Sequence, residues 1–270
     1  MEDWQQYLDA AQMENGETVS AVCEDCGETF EYIPMMVGLG TKRPLLHTAC
    51  KACDTVRRER EDRERALEDK KRRYDLDSYY EDSLGSDIGS RLLRASFAEF
   101  KEEPHNAAAL RMATEWMAEE HKPNLIIVGP IGCGKSYLAA CVHNALHSQY
   151  ERAYWLNAGS MMALVRRGFS DKDAAHEAGQ RMDWASHAKY LVFDDLGKVH
   201  PGKDVSWVEE TFYAIIEDRY RNERPTVVTT EWKSDALAER VGKSVVSRIE
   251  DGAWVAGINA PAEPYRKRAA

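Results

Sequence analysis

The run from Asn124 to Ala140 constrains the fold more than any other part of the chain. Leu125 to Val128 is a short apolar stretch rich in β-branched residues, bounded by Pro123 and Gly129, and it reads as a strand buried on both faces. Gly129-x-x-Gly132-x-Gly134-Lys135-Ser136 follows at once, and Tyr137-Leu-Ala-Ala opens a helix. The three glycines permit positive φ and close backbone approach, so successive N–H groups can turn inward as an anion nest. The positive end of the following helix adds to the same point. The expected nucleotide contacts are therefore Gly129, Gly132, Cys133, Gly134, Lys135, Ser136 and Tyr137. Lys135 would reach the β- and γ-phosphates and Ser136 would ligate Mg²⁺.

A second apolar run, Lys189 to Phe193, ends in two carboxylates, Asp194 and Asp195. Downstream of a phosphate loop, Asp194 is placed to hold Mg²⁺ through water and Asp195 to orient or deprotonate an attacking water. An Asp pair capping the next loop is the competing reading.

The 270 residues carry a net charge of −10, so the whole molecule is no electrostatic nucleic-acid binder, and any DNA contact must use a local basic patch. No 18-residue apolar run exists, and Met1-Glu-Asp-Trp is no signal peptide, so the expected location is cytoplasmic with no membrane partner. In such a compartment Cys23, Cys26, Cys50 and Cys53 read as metal ligands rather than disulfides. They form C-x2-C…C-x2-C, in which each pair of thiols can face one Zn²⁺, with Thr29 to Ile33 as a ribbon strand between them. His47 is a candidate substitute ligand, and a redox dithiol pair is the rival chemistry. A module of this size has little core, so zinc would supply on the order of 10 kcal/mol of its folding free energy.

Residues 55–73 are dominated by charge and predict an exposed helix, with Glu59–Arg63 and Glu61–Arg65 as i,i+4 pairs. Lys70 to Arg73 is a basic cluster, either a solvated spacer or a DNA backbone contact. Asp75 to Ser90 predicts a loose hinge. The expected organisation is a zinc module over 1–54, a charged linker and hinge over 55–95, and a nucleotide-binding domain over 96–270.

In that last part further strands are expected at Ala153–Asn157, Pro225–Thr230 and Trp254–Ile258, with helices from Ser160 and over Trp207–Tyr220. Their alternation predicts an α/β fold with a parallel sheet flanked by helices. The ordered series GPIGCGKS, LVFDDLG, RPTVVTT, Ser247-Arg248-Ile249 and Tyr265-Arg266 resembles the DnaC-type helicase loaders of the AAA+ class, and the IstB-type transposition helper ATPases carry much the same series. Phage-encoded loaders with a cysteine-rich N-terminal module are the nearest match, which would place the protein in a bacterial host cytoplasm.

The resemblance implies an ATPase that loads a DnaB-like replicative helicase onto DNA, with ATP as an assembly switch and Mg²⁺ as cofactor. It places Thr230 at the sensor-1 position and Arg248 at the arginine finger, which reaches ATP in a neighbouring subunit of a homo-oligomer. Arg266 falls at sensor 2 with a truncated lid, and Phe97 and Phe100 lie near the adenine. Arg166 and Arg167, backed by Trp155 or Trp184, could line a single-stranded DNA path. A transposition helper on duplex DNA and an ATP-gated adaptor with little hydrolysis are the alternatives.

Overall fold

The computed structural model describes residues 18–33, 35–37, 43–45, 47–84, 87–198 and 206–261. The chain divides into two compact units, Met1–Lys71 and Arg72–Ala270. In the first, β1 (Val19–Val22) pairs antiparallel with β2 (Thr29–Tyr32), and β3 (Met35–Val37) with β4 (Arg43–Leu45). The helix α1 begins there and spans Lys51–Leu84. Its first turns carry Asp54–Arg58, Arg60–Glu64 and Asp62–Arg65 ion pairs on an exposed surface, each worth a few tenths of a kcal/mol at ~0.3–0.5. The expected hinge is corrected in part: residues 75–84 continue the helix, since the sequence holds no glycine or proline from Lys51 until Gly85.

The second unit holds α2 (Ala107–Ala118), β5 (Leu125–Val128), α3 (Lys135–Ser148), β6 (Ala153–Asn157), α4 (Ala158–Gly168) and α5 (Lys172–His187). Then come β7 (Tyr190–Asp194), α6 (Ser206–Arg221), β8 (Thr226–Thr230), α7 (Ser234–Val241), α8 (Lys243–Glu250) and β9 (Trp254–Gly257). The strands form one sheet of order β6-β7-β8-β5-β9, all pairs parallel. Parallel strands need crossovers, so helices cover both faces and β6, β7, β8 and β5 are almost wholly buried, β8 with three threonines among its five residues, whereas edge strand β9 is partly exposed. Leu125, Ile127 and Val192 pack with Trp116 and Leu138 on one face, and Ile126, Leu191 and Phe193 with Phe212 and Ile215 on the other. The Phe193 and Phe212 rings meet edge to face at 5.1 Å. Each such side chain contributes about 1.5–3 kcal/mol by burial.

The start of α4 differs from the expectation. Asn157, not Ser160, caps α4: its Oδ1 accepts from the Ser160 N–H at 3.1 Å, so the helix begins at Ala158 directly off the strand. Helix α5, for which no element is named from the sequence, buries only small side chains, Ala174, Ala178, Ala185 and Ser186. Among the described residues no helix is long and apolar enough to cross a membrane.

A buried arginine fastens the sheet's lower edge. Arg219 of α6 donates from Nε to Thr226 Oγ1 (2.9 Å) and from Nη1 and Nη2 to the carbonyls of Ala185, Ala188 and Pro225 (2.8, 2.8 and 2.6 Å). It thereby joins the end of α5, α6 and the start of β8. Burial, with Arg224 nearby, pushes its pKa down to about 9, so it remains charged at neutral pH. Arg219→Ala should lower unfolding free energy by about 3 kcal/mol or more in urea titration, because several buried carbonyls lose their donor at once.

Candidate functional site

The parallel register brings the C-terminal ends of all five strands to one edge of the sheet. Asn157 pairs with Asp194, and Val128 with both Thr230 and Gly257. Loops that leave these C-terminal ends therefore converge, as ligand-binding loops do in open α/β sheets. The loop after β5 turns through Gly132 (φ +77°) and Gly134 (φ +99°), and Gly134 is the cap of α3. A Cβ at Gly129 would collide with the Ile258 carbonyl and come within 2.9 Å of Cys133 Sγ. Cys133 is thus a packing residue under the loop rather than a ligand-facing one, and burial raises its thiol pKa. Lys135 is buried, with Nζ donating to the Pro130 carbonyl at 2.9 Å.

Asp194 is also buried, and burial raises its pKa; hydrogen bonds from Thr229 and Ser136 pull the other way. Thr229 Oγ1 donates to Asp194 Oδ1 at 2.7 Å and accepts the Asp195 N–H at 2.9 Å, so one hydroxyl serves both carboxylate residues. Asn157 Nδ2 reaches Asp194 Oδ2 at 3.4 Å. Asp195 stands in the left-handed region (φ +56°), a strained conformation for a non-glycine residue. Its carboxylate pairs with Lys198 Nζ at 3.0 Å. Gly197 (φ +89°) completes the turn, since a Cβ there would meet Trp232 and Leu237 at 2.7 Å.

A cavity of about 460 Å³ opens against Gly132, Lys135, Ser136 and Asp195, within the usual range of about 300–1,000 Å³ for small-molecule pockets. Leu92, Phe100 and Tyr137 line its other end, the two rings 5.9 Å apart. Both expected aromatics pack against the core, and of the two Phe100 also lines this cavity. Sequence reasoning missed Thr229, Lys198 and Glu231. Lys198 and Glu231 line the cavity, and all three acquire meaning only from the turn that brings β7 and β8 side by side.

Thr230 meets a different geometry from the expected sensor. Its hydroxyl donates to the Leu196 carbonyl at 2.7 Å and accepts the Trp232 N–H at 3.2 Å, so it clamps the turn. Arg266 lies outside the described residues. Trp155 is corrected as a stacking platform: it is enclosed in the core because β6 is buried on both faces, and Trp184 is partly buried with Arg152 over its ring. Arg166 lies over Trp207, 5.7 Å from its centroid.

Arg248 is far from the loop within its own chain. The carbonyls of Arg248 and Ile249 accept from Asn124 Nδ2 (3.3 and 3.0 Å), at the residue before β5 begins. Lys135 follows the other end of that strand, which alone spans about 13 Å. The Arg248 guanidinium is held by the Glu217 carboxylate and by Tyr213 Oη at 3.2 Å.

In the first unit the four sulfurs of Cys23, Cys26, Cys50 and Cys53 lie within 4.8 Å of one another, with Cys26 and Cys50 at 3.9 Å. Tetrahedral zinc with bonds of about 2.3 Å needs sulfurs about 3.8 Å apart, so the cluster can hold such an ion. Backbone bonds shape both knuckles: Gly27 N–H to Cys23 O (2.9 Å) and Asp54 N–H to Cys50 O (2.9 Å). The Cys50 backbone N–H helps pull the Cys23 thiol down to about 6, while the neighbouring thiols of Cys50 and Cys26 push Cys53 up. The Asp25–Arg57 pair at 2.5 Å ties the first knuckle to α1. His47 instead stacks edge-on against Tyr32 at 4.9 Å.

No protein-family model matches the chain, and no curated protein matches it in sequence. Solved structures do match. The DnaC helicase loader superposes with a TM-score of 0.54 at 23% identity, over 63% of this chain and 99% of that one. DnaI gives 0.55 at 22%, over 64% and 95%. AMPPCP-bound DnaA from Aquifex aeolicus gives 0.52 at 18%, over 62% and 50%. At these identities the likeness is one of fold: a five-stranded parallel sheet flanked by helices, with the glycine-rich loop after its inner strand β5.

Metal analysis of the purified chain should find about one zinc per molecule, and chelation should unfold the first unit while leaving the sheet's circular dichroism in place. A metal content near zero after purification without chelator, with the four cluster thiols reactive, would return the cluster to redox chemistry.

Proposed function

We propose that the protein is an ATPase of DNA replication that assembles on DNA and loads a replicative helicase, with ATP binding and hydrolysis as the assembly switch. The observation that carries this reading is the separation of Lys135 and Arg248 to opposite ends of β5. A chain so built holds a phosphate cradle at one end and a guanidinium at the other. Stacked head to tail, each copy completes the site of its neighbour.

In the cis half, the N–H groups of the loop and Lys135 would bind the β- and γ-phosphates, with the ring pair Phe100 and Tyr137 at the base end of the cavity. Ser136 and Asp194 would hold Mg²⁺, which supplies neutralisation of charge on the phosphate oxygens. Asp195 would orient the attacking water; its pairing with Lys198 at 3.0 Å keeps that carboxylate engaged and suits slow turnover. Thr229 orients Asp194 and fixes the Asp195 backbone, and Thr230 holds the turn that carries both. Arg248 of an adjacent copy would stabilise transition-state charge. The structural likeness to DnaC and DnaI supports the choice of process. Zinc at the four cysteines would fold a separate module for docking the helicase or DNA.

Lys135→Ala should abolish binding of a fluorescent ATP analogue, and an unchanged dissociation constant would sink the phosphate-loop assignment. Arg248→Ala should bind the analogue normally yet hydrolyse ATP at least ~100-fold more slowly. Wild-type specific activity should rise steeply with protein concentration; a flat dependence down to nanomolar chain would mean that one copy suffices. Co-sedimentation with the replicative helicase, with and without ATP, tests the partner.

A further inference from the structure

Arg248 belongs to a larger arrangement on α6. Tyr213, Glu217 and Tyr220 stand at i, i+4 and i+7, so they share one face of that helix, and α8 packs along it. One Glu217 oxygen takes Nε of Arg248, and the other takes Nε of Arg221 at 2.8 Å. Burial alone would raise the Glu217 pKa; the Arg248 and Arg221 guanidiniums outweigh it and hold the carboxylate ionised. The Arg248 plane lies over the Tyr213 ring (4.8 Å to the centroid) and the Tyr220 ring (5.7 Å), and Tyr220 is itself fixed by Asp251 at 2.8 Å.

A guanidinium has five N–H groups. In Arg248, Nε goes to Glu217, one Nη1 hydrogen to the Ser244 carbonyl (3.0 Å) and one Nη2 hydrogen to Tyr213 Oη (3.2 Å). Among the described contacts, one N–H remains on each terminal nitrogen, so the charged group keeps donors for an anion. Arg221 is 72% exposed, and its described contact is the ion pair with Glu217. Both arginines line a cavity of about 460 Å³ with Lys122 and Arg224, set against Glu223 and Asp251. Two guanidiniums would repel each other there without the shared carboxylate, which lets the pair persist beside an approaching anion.

We propose that Arg221 is a second cation, presented with Arg248 to the triphosphate bound in the phosphate loop of an adjacent copy, and that Glu217 is the positioning residue that spaces the pair. The proposal rests on the reading of Arg248 as acting in trans. A γ-phosphoryl group in transfer spreads charge over three equatorial oxygens. Arg248 alone has too few remaining donors to meet all three, and Arg221 would supply the rest.

The test uses full-length chains and compares ATP turnover with fluorescent-nucleotide binding. Arg221→Ala should lower kcat on the order of tenfold, with binding, KM and melting temperature unchanged. Arg221→Lys should recover part of the loss, and Glu217→Gln should lower kcat in the same way. Mixed one to one with Lys135→Ala, which keeps both arginines, the Arg221→Ala chain should regain up to about a quarter of wild-type turnover, as random head-to-tail pairing allows. Wild-type turnover by Arg221→Ala, where Arg248→Ala is inactive, overturns the second cation and leaves the trans reading standing. A loss that mixing does not restore overturns it too, since the role is then within one chain. Full turnover by Arg248→Ala, or none by the wild type at any concentration, overturns both.

Discussion

A single buried carboxylate organises the sheet's upper edge. Asp194 sits where an ionised group would cost several kcal/mol if left without donors. Its donors come from three other places: Thr229 on β8, Asn157 at the end of β6, and Ser136 at the start of α3. Each has a second duty. Thr229 holds the Asp195 N–H, Asn157 caps α4, and Ser136 opens the helix behind the phosphate loop. Satisfying one carboxylate therefore fixes three strand ends and two helix starts, so the site and the packing above the sheet are one construction.

The strain in this region lies where that construction can bear it. Asp195 takes a left-handed conformation that costs on the order of 1–3 kcal/mol, and Gly197 follows with positive φ. The turn persists because β8 grips it at several points: the Thr229 carbonyl takes the Leu196 N–H at 2.8 Å, and the Thr230 hydroxyl holds the Leu196 carbonyl. Both threonines of the expected sensor strand are spent on keeping Asp194, Asp195 and Lys198 in place. Any response to the nucleotide would then pass through the turn as a unit rather than through one hydroxyl at the strand end.

The parts legible in the sequence are those whose chemistry demands fixed spacing. The glycines before Lys135, the carboxylates after an apolar strand and the paired C-x2-C knuckles each need their residues within one turn, so a linear pattern reports them. The five parallel strands followed from the same alternation. What the sequence hid depends on neighbours across the fold. Thr229 matters because β7 and β8 are adjacent, and Glu217 because α8 lies along α6. Trp155 read as a stacking candidate because aromatic composition does not tell an outer face from an inner one. The expected hinge differs from the structure because a polar, charged composition does not exclude helix, and residues 75–84 are helical. The small side chains that α5 buries give a linear pattern little apolar contrast to report.

The two ends of β5 carry the remaining argument. A four-residue strand is the shortest path between the cradle after Val128 and the arginines packed beside Asn124, and it is buried in the middle of the sheet with β8 and β9 on either side. No hinge within such a strand can bring its ends together without breaking ladders on both sides. Arg219 stiffens the lower end further by joining α5, α6 and β8 there. The separation is thus a rigid property of the fold, and if nucleotide turnover needs both ends, only a second copy can supply the missing one. On the proposed reading, rigidity in one chain would make ATP a reporter of neighbours: the internal geometry would stay constant while occupancy of the cradle would set how strongly the adjacent guanidiniums are held.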